Sequence, residues 1–152
     1  MPLADLARRR GSVAAVTSPA RLIREPALSD VAEYAYAATV EPPARLVFTA
    51  GSCPLDAEGR TVAPGDPVGQ ARQVMANLET ALAAAGALLT DVVKTTVYVA
   101  SPRRADLVAV WEVVRDAFGD HEPPSTLLGV AVLGYDDQLV EVEAVAAVRD
   151  GR

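Results

Sequence analysis

Hydrophobic positions in this chain change their period several times between residues 31 and 148. Val68, Met75, Leu78, Leu82 and Ala85 recur at helical spacing. Asp66 can cap that helix, Pro67 suits its first turn, and Gly86 supplies its stop. Leu107, Val110, Trp111, Val114 and Phe118 form a second apolar stripe, which predicts a helix over 105–118 ending at Gly119. Between the two, residues 91–100 are dense in β-branched side chains and read as a strand buried on both faces. Residues 31–40 alternate small and aromatic side chains, with Tyr34 and Tyr36 on one side if extended. Residues 45–50 follow as a second strand, and Glu41-Pro42-Pro43-Ala44 between them predicts a hairpin with a four-residue loop. Residues 125–133 and 138–148 read as the last two strands, joined by a turn over 134–137.

The order is therefore ββαβαββ, an α+β class with two helices on one face of a mixed sheet. The other face then lacks a cover, which a further copy of the chain would supply. At 152 residues the chain suits one domain that buries a sizeable core without disulfides. No run of about 20 apolar residues is free of charge, so a membrane span is not expected. The N-terminal segment lacks the apolar core of a secretory signal, and a cytoplasmic protein is expected.

Charge narrows the classes further. The formal net charge is −6, yet Arg8, Arg9, Arg10, Arg21 and Arg24 crowd the first 25 residues against only Asp5 and Glu25. Residues 1–25 read as a partly ordered arm and 26–152 as the domain. An acidic body repels phosphate backbones, so nucleic acid is not an expected partner. Lys94 is the sole lysine, and the excess of Arg, Ala, Val and Gly is the coding bias of a GC-rich bacterial genome.

Candidate chemistry is sparse. Glycine-rich phosphate loops and the Gly-x-Ser-x-Gly elbow are absent from the sequence. One histidine and one cysteine exclude a His- or Cys-rich metal centre, and no metal or organic cofactor is expected. His121 reads as an exposed loop residue, and Cys53 as a packing residue in the loop after the second strand. Glu141 and Glu143 stand two apart in an apolar strand, so both project to one face. They are either a solvated face or carboxylates suited to general acid–base work. Pro123-Pro124-Ser125-Thr126 rigidifies the start of a strand and can serve as the polar wall of a pocket.

Several segments taken together resemble the YjgF/RidA (Rid, L-PSP) family. They are, in order, Tyr36-Ala37-Ala38-Thr39-Val40, Leu46-Val47-Phe48-Thr49-Ala50-Gly51, Pro54-Leu55-Asp56 with Gly59, Gln73-Val74-Met75-Ala76-Asn77-Leu78, Asp91-Val92-Val93-Lys94-Thr95-Thr96-Val97-Tyr98 and Val140-Glu141-Val142-Glu143-Ala144. The resemblance spans about Arg21 to Val148. It implies a chorismate-mutase-like fold, a homotrimer with pockets at the subunit interfaces, and cofactor-free hydrolysis of enamines and imines. It also implies Glu141 and Tyr36 as catalytic residues; the residues expected to bind substrate are Ser125, Trp111, Leu127 and Gly51.

Two positions depart from the family pattern. Ser125 stands where the family carries a carboxylate-gripping arginine, and Trp111 where it often has asparagine. An arginine fork makes two charge-assisted hydrogen bonds to a carboxylate, whereas serine offers one neutral donor. The expected substrate is therefore a larger, less charged or aromatic imine, enamine or enol-type intermediate of a specialised biosynthetic pathway. The alternative is a noncatalytic trimer that binds a small molecule. Ribonuclease activity, suggested only by one family name, is disfavoured by the acidic body.

Overall fold

The computed structural model describes residues 18–149. Most of the arm expected over 1–25, namely residues 1–17, lies outside that range. The described residues form six strands and two α-helices. In chain order these are β1 (Ala20–Ile23), β2 (Ala37–Val40), β3 (Arg45–Phe48), α1 (Pro67–Ala84), β4 (Val92–Val99), α2 (Arg104–Phe118), β5 (Ser125–Gly129) and β6 (Val140–Val148).

Helix α1 begins and ends as its sequence dictates. The Asp66 carboxylate accepts from the Gly69 amide at 3.0 Å, and Pro67 follows. At the other end Gly86 adopts φ 75°. The Gly86 amide then reaches Ala83 O at 3.0 Å and the Ala87 amide reaches Leu82 O at 2.9 Å, a Schellman closure.

Strands β3, β6, β4 and β5 lie side by side in that order. The β4–β5 pair is parallel and the other two pairs are antiparallel, so the sheet is mixed. Both helices cover one face. Val140, Val142, Ala144, Ala146 and Val148 alternate along β6 into a core with Val74, Leu78 and Leu82 of α1 and Val110 and Val114 of α2. A register shift between Val92 and Lys94 keeps Val92 on the core side together with Thr95, Val97 and Val99.

Strand β4 is buried on one face only. Lys94, Thr96 and Tyr98 are half-buried on the side away from the helices. That open face also carries Leu46, Phe48, Leu128, Glu141 and Glu143. Phe48 is 71% exposed there, so nothing among the described residues covers it.

The expected hairpin between residues 31–40 and 45–50 does not form. Only Ala37–Val40 of the first segment is a strand, and it pairs with β1 from Ala20↔Val40 to Ile23↔Ala37. β3 pairs instead with β6. Pro42 and Pro43 have no N–H to donate across a hairpin, which leaves β2 to find β1. This ribbon is tied to the start of β5, where the Ala35 amide donates to Glu122 O at 2.9 Å and Arg24 pairs with Glu122.

Strand β5 stops at Gly129 rather than at residue 133. Its partner β4 ends at Val99, whose carbonyl accepts the Val130 amide at 2.9 Å as the last bond of the ladder, so the residues after Val130 have no partner strand to join. No helix among the described residues is long and apolar enough to cross a membrane.

Candidate functional site

The sheet separates the expected site residues into two groups. The first gathers at the start of β6. After β3 the chain returns to β6 at Ser52, whose amide donates to Val142 O at 2.7 Å while the Val142 amide donates to Ser52 O at 3.1 Å. This bridge seats Gly51 directly against Glu141. A Cβ on Gly51 would lie 1.9 Å from Glu141 Oε1, so only glycine leaves room for the carboxylate.

Helix α1 fixes that loop from behind. The Ser52 hydroxyl donates to Val74 O at 2.9 Å, and Asn77 Nδ2 donates to Cys53 O and Leu55 O, both at 2.9 Å. Gln138 Nε2 donates to Glu141 Oε2 at 3.0 Å, and the Cys53 thiol lies 3.5 Å from the same oxygen. Glu143 shares the open face but is engaged elsewhere, since Tyr98 Oη donates to its Oε1 at 3.0 Å. That hydrogen bond to the phenol holds the Tyr98 pKa above its usual value.

Burial, and then the Glu141 charge, push the Cys53 thiol up to about 11. The thiolate is the reactive form, and at pH 8 it is only about one part in a thousand. Alkylation of Cys53 by iodoacetamide is thus expected to be slow at neutral pH and to rise about tenfold per pH unit up to pH 11. Mass spectrometry of the labelled chain measures it. Rapid labelling at pH 7 would contradict the environment described here.

The second group lines a cavity of about 410 Å³ at the β5 edge, formed by Tyr34, Trp111, Ser125, Thr126 and Leu127. Trp111 meets Tyr34 edge-to-face at 5.9 Å. Its indole N–H donates to Glu33 Oε2 at 3.0 Å, and Arg115 pairs with the same carboxylate at 2.9 Å. The Trp111 and then the Arg115 hydrogen bonds hold Glu33 below the usual carboxylate range.

Three expectations change at this point. The ring in the cavity wall is Tyr34; Tyr36 stands behind it at 6.4 Å and its hydroxyl donates to Ser29 O. Ser125 is tied within the chain rather than free. Its hydroxyl is held between Pro123 O at 3.0 Å and Thr95 Oγ1 at 2.6 Å, and either hydroxyl of the Ser125–Thr95 pair can be the donor. His121 is half-buried, with Nε2 2.7 Å from Val92 O, and fastens its loop to β4.

The structure does not bring Glu141 and Ser125 together within one chain. Ser125 pairs with Thr95 on the core side of the sheet, whereas Glu141 pairs with Tyr98 on the open side. Two strand spacings, about 10 Å, separate them laterally, and the three-residue offset adds about 10 Å along the strands. Gly51 belongs with Glu141; Trp111 and Leu127 belong with Ser125. Cys53, Gln138 and Tyr34 complete the two groups and were not singled out for the site by the sequence. Among the described residues no group of three or more His, Cys, Asp or Glu side chains could hold a metal ion.

The exchange of Gly51 for alanine follows from this geometry. The added methyl must displace the Glu141 carboxylate, because the clash is with that side chain. A misplacement of about 1 Å costs roughly 100-fold in rate. Gly51→Ala is expected to lose activity on that order while its circular dichroism spectrum stays unchanged. Wild-type turnover in the variant would separate Gly51 from the chemistry.

Comparison with known proteins adds the following. A family model described as Endoribonuclease L-PSP matches residues 25–148. A RutC family protein of Pyrococcus horikoshii is 37% identical over 101 residues, 66% of this chain and 78% of that one. The 2-iminobutanoate/2-iminopropanoate deaminase of Mus musculus is 34% identical over 102 residues, 67% of this chain and 73% of that one. Among solved structures, the Rid-family protein YyfB of Yersinia pestis, described as of unknown function, superposes with a TM-score of 0.80 at 28% identity. That match covers 86% of this chain and 99% of the other.

Proposed function

Because the chain belongs to the L-PSP endoribonuclease family, also known as YjgF/RidA, we propose that it hydrolyses imine or enamine intermediates, with Glu141 moving the proton. The observation that carries this reading is the Glu141 carboxylate, laid against side-chain-free Gly51 and held by Gln138 and Cys53. The mouse relative's name, an iminobutanoate and iminopropanoate deaminase, supports the reaction class.

In the proposed step Glu141 takes a proton from water as the water oxygen attacks the C=N carbon. Glu141 passes that proton to the imine nitrogen, giving a neutral carbinolamine. Glu141 then takes the carbinolamine hydroxyl proton and hands it to the amino group as the C–N bond breaks, so ammonia leaves, a carbonyl remains and both water protons end on nitrogen. Water is the only co-reactant. No metal or organic cofactor takes part in this proposal.

The pocket would be completed by other copies of the chain, in a trimer with three interface sites. Two features favour this: the uncovered open face with Phe48, and the two residue groups held apart by the sheet. Tyr34 and Trp111 then form an apolar aromatic wall, with Tyr36 bracing Tyr34 from behind. Ser125 supplies a neutral hydroxyl in place of a guanidinium, which gives a carboxylate no charged fork to grip at that position. The proposed substrate is accordingly a larger, uncharged or aromatic intermediate, of the kind a specialised biosynthetic route produces. RNA is a poor fit for a chain of net charge −6.

An imine-trapping assay tests the reading. An L-amino-acid oxidase generates imino acids from leucine and from phenylalanine, and semicarbazide competes for them. The protein is expected to accelerate loss of the phenylalanine imine more than that of the leucine imine, and both only modestly, because Ser125 offers their carboxylates no cation. Saturable binding with no turnover of any imine would favour a noncatalytic ligand-binding trimer instead.

A further inference from the structure

Gln138 is 4% exposed and uses both ends of its amide. Its Oε1 accepts from the Tyr135 amide at 3.0 Å, closing the turn before β6. Its Nε2 donates to Val140 O at 3.2 Å and to Glu141 Oε2 at 3.0 Å. The Cys53 thiol, from a loop 88 residues away, lies 3.5 Å from that same oxygen and 3.6 Å from Gly51 O, so its one proton is shared between the two. Both of these donors therefore reach Oε2, whereas Oε1 is the atom that lies over Gly51. The two oxygens of one carboxylate stand in different surroundings.

We propose that Gln138, assisted by Cys53, is a positioning residue that anchors Oε2 of Glu141 and so assigns proton transfer to Oε1. This inference rests on Glu141 being the acid–base group. A free glutamate in a strand samples several rotamers, and its carboxylate turns between them. Saturating one oxygen with donors stops that rotation and leaves the lone pairs of the other aimed along one direction. Gln138 is itself immobilised by burial and by its bond to the turn, so its ordering is complete before substrate arrives. The Cys53 thiol, kept protonated by its surroundings, stays a donor across the neutral range.

Two variants separate positioning from turn-making. Gln138→Met removes the turn contact and the donor together. Gln138→Glu keeps an acceptor for the Tyr135 amide but sets a second carboxylate beside Glu141 in place of the donor. Imine hydrolysis is measured with the oxidase-generated leucine and phenylalanine imines, and each variant is crystallised. We expect kcat to fall about 10- to 100-fold in both variants with KM nearly unchanged. The Glu141 carboxylate should leave its seat on Gly51 in both crystals. Cys53→Ala should lower kcat less, and Cys53→Ser, which retains a donor, should restore it.

A Gln138→Glu enzyme with wild-type kcat and an unmoved Glu141 would overturn the proposal and leave Gln138 as a turn residue only. Loss of activity in Glu141→Gln alongside that result would leave the proposed function standing. Full activity of Glu141→Gln would instead remove the function on which the inference rests. Should wild type turn over neither imine, the crystal position of Glu141 in the two Gln138 variants still decides the positioning claim.

Discussion

Glu141→Gln is expected to lower kcat for imine hydrolysis by about 10²–10⁴-fold, the range usual for removing a general acid–base group. The exchange is nearly isosteric and keeps the side chain in its place. Gln138 Nε2 and the Cys53 thiol would select the new amide oxygen as their acceptor. The amide NH₂ would then occupy the position over Gly51 now held by Oε1. An amide nitrogen there cannot accept a proton from water, so chemistry stops while binding continues. KM should move little, because the aromatic wall at Tyr34 and Trp111 is untouched. Cys53 offers a second readout that needs no substrate. Glu141 is one of the groups holding its thiol up, so Glu141→Gln should speed alkylation of Cys53. Retention of full imine hydrolysis by Glu141→Gln would sink the proposed role.

Leu78→Ala is expected to cost about 2–5 kcal/mol of folding stability. Leu78 lies midway along α1, is fully buried, and shares the core with Val74, Leu82 and the inward side chains of β6. Deleting its three distal carbons leaves a void between a helix pinned at both ends and a sheet braced by its ladders. Neither side can collapse far into it, since the Asp66 cap and the Gly86 closure hold α1 in register. Urea titration should show a lower midpoint at an unchanged slope. A loss below about 1 kcal/mol would mean that the core repacks more freely than its burial implies.

The elements legible in the sequence were those whose side chains repeat often enough to set a period. Helices α1 and α2 carry several apolar positions each, with Asp66, Pro67 and Gly86 marking the bounds of α1. Strands β4 and β6 announce themselves through Val92–Val99 and Val140–Val148. β1 did not, because four residues holding one arginine give no period, and its partner was assigned to the strand beyond the two prolines. Tyr36 was named through the family resemblance, whereas the contact of Tyr34 with Trp111 carried no signal in the sequence. The Arg24–Glu122 and Glu33–Arg115 pairs and the Ala35 amide, which turn Tyr34 toward Trp111, join residues far apart in sequence. The pinning of Glu141 was hidden for that reason as well, since Cys53 meets it only after the chain has closed.

The separation of the two residue groups by the sheet bears on how such a protein changes over generations. On the proposed reading, proton handling sits at the start of β6, where Gly51, Gln138 and Glu141 are packed closely against one another. On the same reading, ligand choice sits across the sheet at Trp111, Leu127 and Ser125, which line the cavity at the edge strand β5. A lineage can remodel the second without disturbing the first. Gene duplicates of this fold are thus free to acquire new selectivities by drift at one edge while inheriting an unaltered reaction.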